Sequence, residues 1–365
     1  MKKLEYEVSF ATPAFLGNAH QAAQWRTPPF KALIRHWWRI VKAPEVGFDV
    51  SDLRKAEGRL FGIAADDGDS RRSLLRLRLS NWSPGGVSSW TSDKKLPHPE
   101  VTTKAGKVMA IGSQLYLGYG PLTFAKGGTA LSDQPARTAI AVDATQTLTI
   151  AVPNEFASEV IEAIQLCAWF GALGSRAKNG WGSFQLTAKG ETPPIPELGP
   201  TRLKGLKRPL DECLTLSWPH AIGADEGQPL VWQTPAMPTW PALMRELAAI
   251  KIAFRTEPGL MSLDGVPNGS FAARHLLAYP VTHHKVSGNE WGNQGRLANQ
   301  IRFKAAKGDG GWIGTIVHTP CRLPEKMVSD LPQPIQRELG KVSLTAWRQV
   351  HAILDSKAQR MQAHD

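Results

Sequence analysis

Leu4, Tyr6, Val8 and Phe10 alternate with polar residues at the start of the chain, which predicts a strand buried on one face. A loop with Pro13, Gly17 and Asn18 follows, and Pro28-Pro29 then opens a helix over 29–42, where a missing N–H costs nothing. A short helix is expected over 51–61, before an acidic turn, Asp66-Asp67-Gly68-Asp69. Leu75, Leu77 and Leu79 alternate with Arg76, Arg78 and Ser80, a second strand. Residues 83–112 read as a long excursion with scattered Pro and Gly, followed by strands at 113–119 and 147–152. The run 154–171 is helical, with Val160, Ile164, Cys167 and Gly171 on one face, and Trp181, Phe184 and Leu186 mark another strand.

Reduced to its main elements this half is β-α-β-β-α-β with insertions, the split-βαβ or ferredoxin-like order: an antiparallel sheet with two helices on one face. Residues 191–210 hold several prolines and a basic cluster and read as a linker or surface crossing. The chain is thus divided into an N-terminal domain at 1–190, the Pro-rich stretch at 191–210 and a C-terminal domain at 211–365. The second region is expected to have a strand at 212–218, a helix from Trp240 to Phe254, strands at 296–304 and 311–318, and a helix over 333–360. It looks like a degenerate second copy, without a final strand or a second glycine loop.

The 365 residues are 42% hydrophobic, enough to bury a real core, and 43 Lys and Arg against 32 Asp and Glu give a net charge of +11. That surplus suits a polyanion, with RNA, DNA and an anionic membrane all compatible. No apolar run approaches the roughly 20 residues needed to span a bilayer, and MKKLEYEVSF has a strand's alternation instead of a signal sequence's apolar run. Three well-separated cysteines argue against a disulfide framework, so a cytoplasmic location is expected. The 13 tryptophans offer faces for stacking on bases as well as core material.

Two segments carry candidate chemistry. GALGSRAKNGWGSF (171–184) places Gly171, Gly174, Gly180 and Gly182 around Ser175, Arg176, Lys178, Asn179 and Trp181. Glycines that let another backbone approach closely, with cations and an amide between them, suit a loop laid along phosphates. The alternative is a long helix-to-strand turn, which needs fewer glycines. On the 29–42 helix, Phe30, Ile34, Trp37 and Val41 form an apolar stripe, while Lys31, Arg35, Trp38, Arg39 and Lys42 fall on another face. No acidic residue lies between Phe10 and Pro44, so this face suits an RNA backbone better than an ordinary solvated surface, which mixes signs.

TPAFLGN (12–18), WRTPPFKALIRHWWR (25–39), LFG (60–62) and the glycine loop together resemble the RAMP superfamily of CRISPR proteins. Within it, the pairing of the first two motifs is similar to the family of first subunits of the Cmr, or type III-B, RNA-targeting effector complex. The strong matches cover the first 62 residues and 166–186. The resemblance implies two ferredoxin-like (RRM-like) α+β domains and a non-catalytic subunit that caps the assembly near the 3′ side of the CRISPR RNA. Its implied partners are CRISPR RNA, target RNA and the backbone RAMP subunits, with no cofactor and no metal. The expected RNA-binding residues are Arg26, Lys31, Arg35, Trp38, Arg39, Gly171, Gly174, Ser175, Arg176, Lys178, Asn179, Gly180, Trp181 and Gly182.

The rival is a metal-independent endoribonuclease that processes CRISPR repeats, with His20 in the first strand-to-helix loop as general acid/base. The Asp66–Asp69 turn lacks the spacing of a calcium loop, and His283-His284 have no neighbouring Cys or carboxylate cluster for zinc. Neither a nucleotide-binding GxxxxGK[ST] run nor a GxSxG nucleophile motif is present. Arg296, Arg302 and Lys304 could add phosphate contacts from a strand, or simply form a cationic strand face.

Overall fold

The opening alternation becomes the strand Lys2–Phe10, with Leu4, Tyr6, Val8 and Phe10 wholly buried. In this computed structural model, residues 1–363 are described except 65–69, 92, 127, 135, 265, 267–270, 282, 283, 285, 289, 293 and 294. The acidic turn at Asp66, Asp67 and Asp69 and the imidazole of His283 lie outside the described residues. Lys2–Phe10 runs antiparallel to both Thr145–Val152 and Phe184–Ala188, and Arg76–Leu79 forms the edge beyond Thr145–Val152. Helices Thr27–Lys42 and Ala157–Phe170 follow the first and third of these strands and pack on each other. The sheet order is therefore fourth, first, third, second.

The C-terminal half repeats that order with different sequence. Val231–Gln233 lies between Gly311–His318 and Gln359–Arg360, with Ile301–Gly308 outside Gly311–His318, all antiparallel. Its two long helices are Trp240–Arg255, capped by the Thr239 hydroxyl, and Gln333–Lys357. Two expectations change here. The residues expected as a strand at 212–218 contain no strand, and a short helix, Leu210–Cys213, overlaps their start; the first strand of this sheet is Val231–Gln233. A final strand is present, but at two residues it is too short to show any periodicity.

Residues 113–119 are also not a strand: Ser113–Gly118 is helical. The Asp93 carboxylate, some twenty positions upstream, accepts from the backbone N–H of Gln114 and Leu115 and so satisfies donors a helix start leaves open. The Pro-rich stretch is a packed crossing, not a free tether. Leu203, Leu206 and Leu210 are buried, the Thr192 hydroxyl accepts from Glu5 N–H, and the Trp169 indole donates to Pro196 O.

The apolar core does not divide at this crossing. Phe15 and Trp181 share one cluster with Met244, Leu247 and Phe303, while Ile222, Val231 and Val317 belong to the cluster built on the first sheet. Among the described residues no helix is long and apolar enough to cross a membrane.

Candidate nucleic-acid interface

Two of the segments noted in the sequence, TPAFLGN and the glycine loop, meet in space. The Thr12 hydroxyl donates to Gly180 O and accepts from Ser183 N–H, Gly182 N–H donates to Pro13 O, and Ser175 N–H donates to Phe15 O. The glycines make this possible at particular positions. A Cβ on Gly174, at φ +94°, would lie 2.5 Å from Phe15 O, and one on Gly182, at φ +65°, would penetrate the Leu173 carbonyl oxygen. Gly171 admits Leu33 of the first helix in the same way.

The loop's polar side chains turn back into the protein. Arg176 Nε donates to Tyr119 O at 2.6 Å, Lys178 Nζ to Asn299 O at 2.7 Å and Asn179 Nδ2 to Leu117 O at 2.7 Å. Asn179 Oδ1 accepts from Lys251 Nζ, and Phe303 N–H of the second sheet donates to Lys178 O. Asn179, Gly180, Trp181 and Gly182 are buried, Ser175 and Lys178 half-buried, and Gly174 and Arg176 exposed. The loop is first of all a joint between the two halves, and only its tip, Gly174–Arg176, faces outward. Arg176 sits at φ +61°, a conformation uncommon away from glycine.

The first helix buries Phe30, Leu33, Ile34, Trp37, Trp38, Ile40 and Val41, a wider stripe than the four residues expected. Trp38 is a core residue, 0% exposed and edge-on to Phe61, so it is withdrawn from the stacking surface; Trp181, also 0% exposed, is withdrawn with it. Most other large tryptophans follow suit, with Trp37, Trp232, Trp291 and Trp347 fully buried.

The cations of the helix have partners that the local sequence does not show. Glu57, on the neighbouring helix Val50–Phe61, receives both Arg35 and Arg39. Burial pushes the Glu57 carboxyl up, but hydrogen bonds from Arg39 and Arg35 outweigh it and hold its pKa below the usual carboxylate range. Lys42 pairs with Glu45 and Glu159, and Lys31 Nζ donates to Phe61 O. Arg35 and Arg39 side chains remain 44% and 41% exposed, so the face is partly neutralised yet still open. Arg26 and Lys31 are half-buried beside it.

Arg302 and Lys304 are not surface cations. Lys304 is 2% exposed and donates to Gly171 O and Phe184 O, tying the second sheet to the glycine loop. Burial pushes its pKa down to about 7, and does the same to Lys178 and Lys251. Arg302 donates to His36 Nε2 at 2.7 Å and lies over the Trp37 ring. Burial, then the Arg302 charge, drives the His36 pKa well below its ordinary value, so the neutral ring can accept that bond. Arg296 is exposed and bonded to Gly295 O.

Sequence reading missed Arg71, Arg72, Arg76 and Arg78 as a group; all are exposed or partly so, on or beside the edge strand. The dipeptide Arg71-Arg72 and the Arg-Leu-Arg alternation were the available signal. His20 is exposed at the tip of the first loop, and among the described residues its imidazole has no hydrogen-bond partner. The thiols are free, with Cys167 and Cys213 buried.

No family model and no curated protein matches the chain. Among solved structures it is similar to apo Cmr1 from Pyrococcus furiosus, at 14% identity and a TM-score of 0.46, covering 89% of this chain and 90% of that one. It is likewise similar to a chain of a type III-B Cmr-beta complex bound to cognate target RNA, at 10% identity and a TM-score of 0.47, covering 94% and 99%. The same complex with target RNA and AMPPnP in the presence of single-stranded DNA gives 9% identity and a TM-score of 0.46, covering 95% and 99%. Likeness at these values carries no functional weight by itself.

Proposed function

We propose that this chain is a non-catalytic RNA-binding subunit of a type III-B CRISPR effector complex, built from two ferredoxin-like units. It caps the assembly near the 3′ side of the CRISPR RNA and helps hold guide and target RNA beside the backbone subunits. The observation that carries this reading is the zipping of TPAFLGN onto the glycine loop. Two motifs some 160 positions apart, each part of the same resemblance, form one hydrogen-bonded unit. The two sheets support the fold part of the reading, since each has its strands in the order fourth, first, third, second.

The residues left facing outward define the contact. Arg176 at the loop tip and Arg35 and Arg39 on the first helix present guanidinium groups, which suit phosphate oxygens through paired N–H donors. Phosphate contacts position a strand without reading its sequence. Arg176→Gln and Arg35→Gln are each expected to weaken binding of single-stranded RNA and to flatten the log-affinity against log-salt slope by about 0.7. Glutamine is the better replacement at Arg35, because a glutamate there would face Glu57. Binding and slope unchanged in both variants would leave the positive surplus as solubility charge and remove the RNA contact from these faces.

A further inference from the structure

A cavity of about 600 Å³ opens between Val87, Trp90, Gln114 and Val142 on one side and the start of helix Trp240–Arg255 on the other. Trp90 and Trp240 line it, both half-buried, with ring centroids 6.4 Å apart and nearly perpendicular planes. Trp181 of the glycine loop braces both from within, at 5.6 Å from Trp90 and 6.1 Å from Trp240, and itself rests on Phe15 at 5.1 Å. Trp90 is further fixed by its indole N–H, which donates to Gln114 Oε1 at 2.9 Å. Rigid, partly exposed indoles offer stacking area at little entropic cost.

The polar lining tells what kind of ligand fits. Gln114 and Ser113 line the cavity, and among the described residues neither the Gln114 amide N–H groups nor the Ser113 hydroxyl has an acceptor. Asp93 spends its oxygens on Gln114 N–H, Leu115 N–H and the Thr129 hydroxyl. Lys94 and Arg245 are matched in number by Asp93 and Glu246, so the lining has no net charge and does not suit a phosphate or carboxylate. A flat, neutral π-system with acceptors along its edge fits these walls.

We infer that the cavity takes one unpaired base of a bound RNA strand, stacked on Trp240 with Trp90 edge-on to it, and with the Gln114 amide and Ser113 hydroxyl donating to the base edge. Exposed Lys94 and Arg245 then stand at the rim, where the flanking phosphates pass. This rests on the RNA-binding reading above, and it explains the buried Trp181 of the glycine loop, which holds the stacking walls in place.

The test uses the full-length protein, a short single-stranded RNA and the same strand made of abasic riboses. The abasic strand is expected to bind about tenfold more weakly, by loss of stacking. Trp240→Leu, which keeps the helix start apolar, is expected to lose that preference and to bind both strands as the wild type binds the abasic one. Gln114→Leu should reduce the preference in the same direction, which covers the case in which the tryptophan variant misfolds. A wild type that binds both strands equally, or variants that keep the full preference, overturns the pocket while leaving phosphate binding intact. Protection of 87–94 and 239–246 from hydrogen exchange on adding protein subunits, but not RNA, assigns the cavity to a protein segment and also overturns it. No binding to either strand removes the RNA reading itself.

Discussion

Four glycines within twelve residues suggest a backbone shaped for an outside ligand, and the structure uses most of them for inside contacts. Gly182 sits at φ +65° with no room for a methyl group beside the Leu173 carbonyl, so two causes act together there, backbone conformation and overlap. Gly190 has a similar φ of +57° but nothing within 4 Å of the added carbon. Gly182→Ala is therefore expected to destabilise the fold by more than about 3 kcal/mol, or to prevent folding, while Gly190→Ala costs about 1 kcal/mol. Thermal unfolding of the two variants side by side checks this, and equal losses would mean that the close approach contributes nothing. That glycines were required was legible in the sequence; which backbone each one admits was not, because Phe15 comes from a distant part of the chain and the Leu173 carbonyl meets Gly182 only once the loop has doubled back on itself.

The first helix matches its expected extent, Thr27–Lys42 against 29–42, and it has the two faces its sequence implies. Its apolar face follows from the 3.6-residue period, which is a local property. Its cationic face looks unopposed in the sequence because the opposing charge, Glu57, lies 22 positions beyond Arg35 on another helix. Glu57→Gln is expected to act in opposite directions on two measurements. Stability should fall by about 1–3 kcal/mol, since two guanidinium groups lose a buried carboxylate while keeping some solvent. RNA affinity should rise and its salt slope steepen, because Arg35 and Arg39 are released to meet phosphates. Denaturant titration and RNA titration on one preparation separate the two effects, and a fall in affinity at preserved fold would place RNA away from this face. The helix at Ser113–Gly118 shows the same limit, since its N-terminal donors are satisfied by Asp93.

At the scale of the molecule the two halves are joined by buried cations that bond to carbonyls, with Lys304 spanning from the second sheet to Gly171 and Phe184. Burial lowers the folded-state pKa of Lys304 to about 7 from 10.5, so between those values the native state holds fewer protons than the unfolded chain. Stability from this group therefore rises with pH across that window. Raised thiol pKa values at Cys213 and Cys321 act in the opposite sense only above their ordinary value of 9. Between pH 7 and 9 the unfolding free energy is expected to increase by about 1–2 kcal/mol through Lys304, and the Lys304→Met variant should lose that part of the slope. Denaturant midpoints at several pH values give the comparison, and an identical slope in the variant would mean that Lys304 keeps its proton in the folded protein.

The sequence by itself determined where strands and helices with a clear period run, that glycine was needed at 171–182, and that the chain carries a positive surplus. Those properties depend on neighbours within a few residues along the chain. Only the tertiary structure decided which cations remain free, since Glu57, Asn299 and the carbonyls of Gly171 and Phe184 become partners through folding alone. It also decided that Trp38 and Trp181 are core while Trp90 and Trp240 line an opening. An indole buries or stacks according to what the rest of the chain packs against it, and that is a property of the assembled layers.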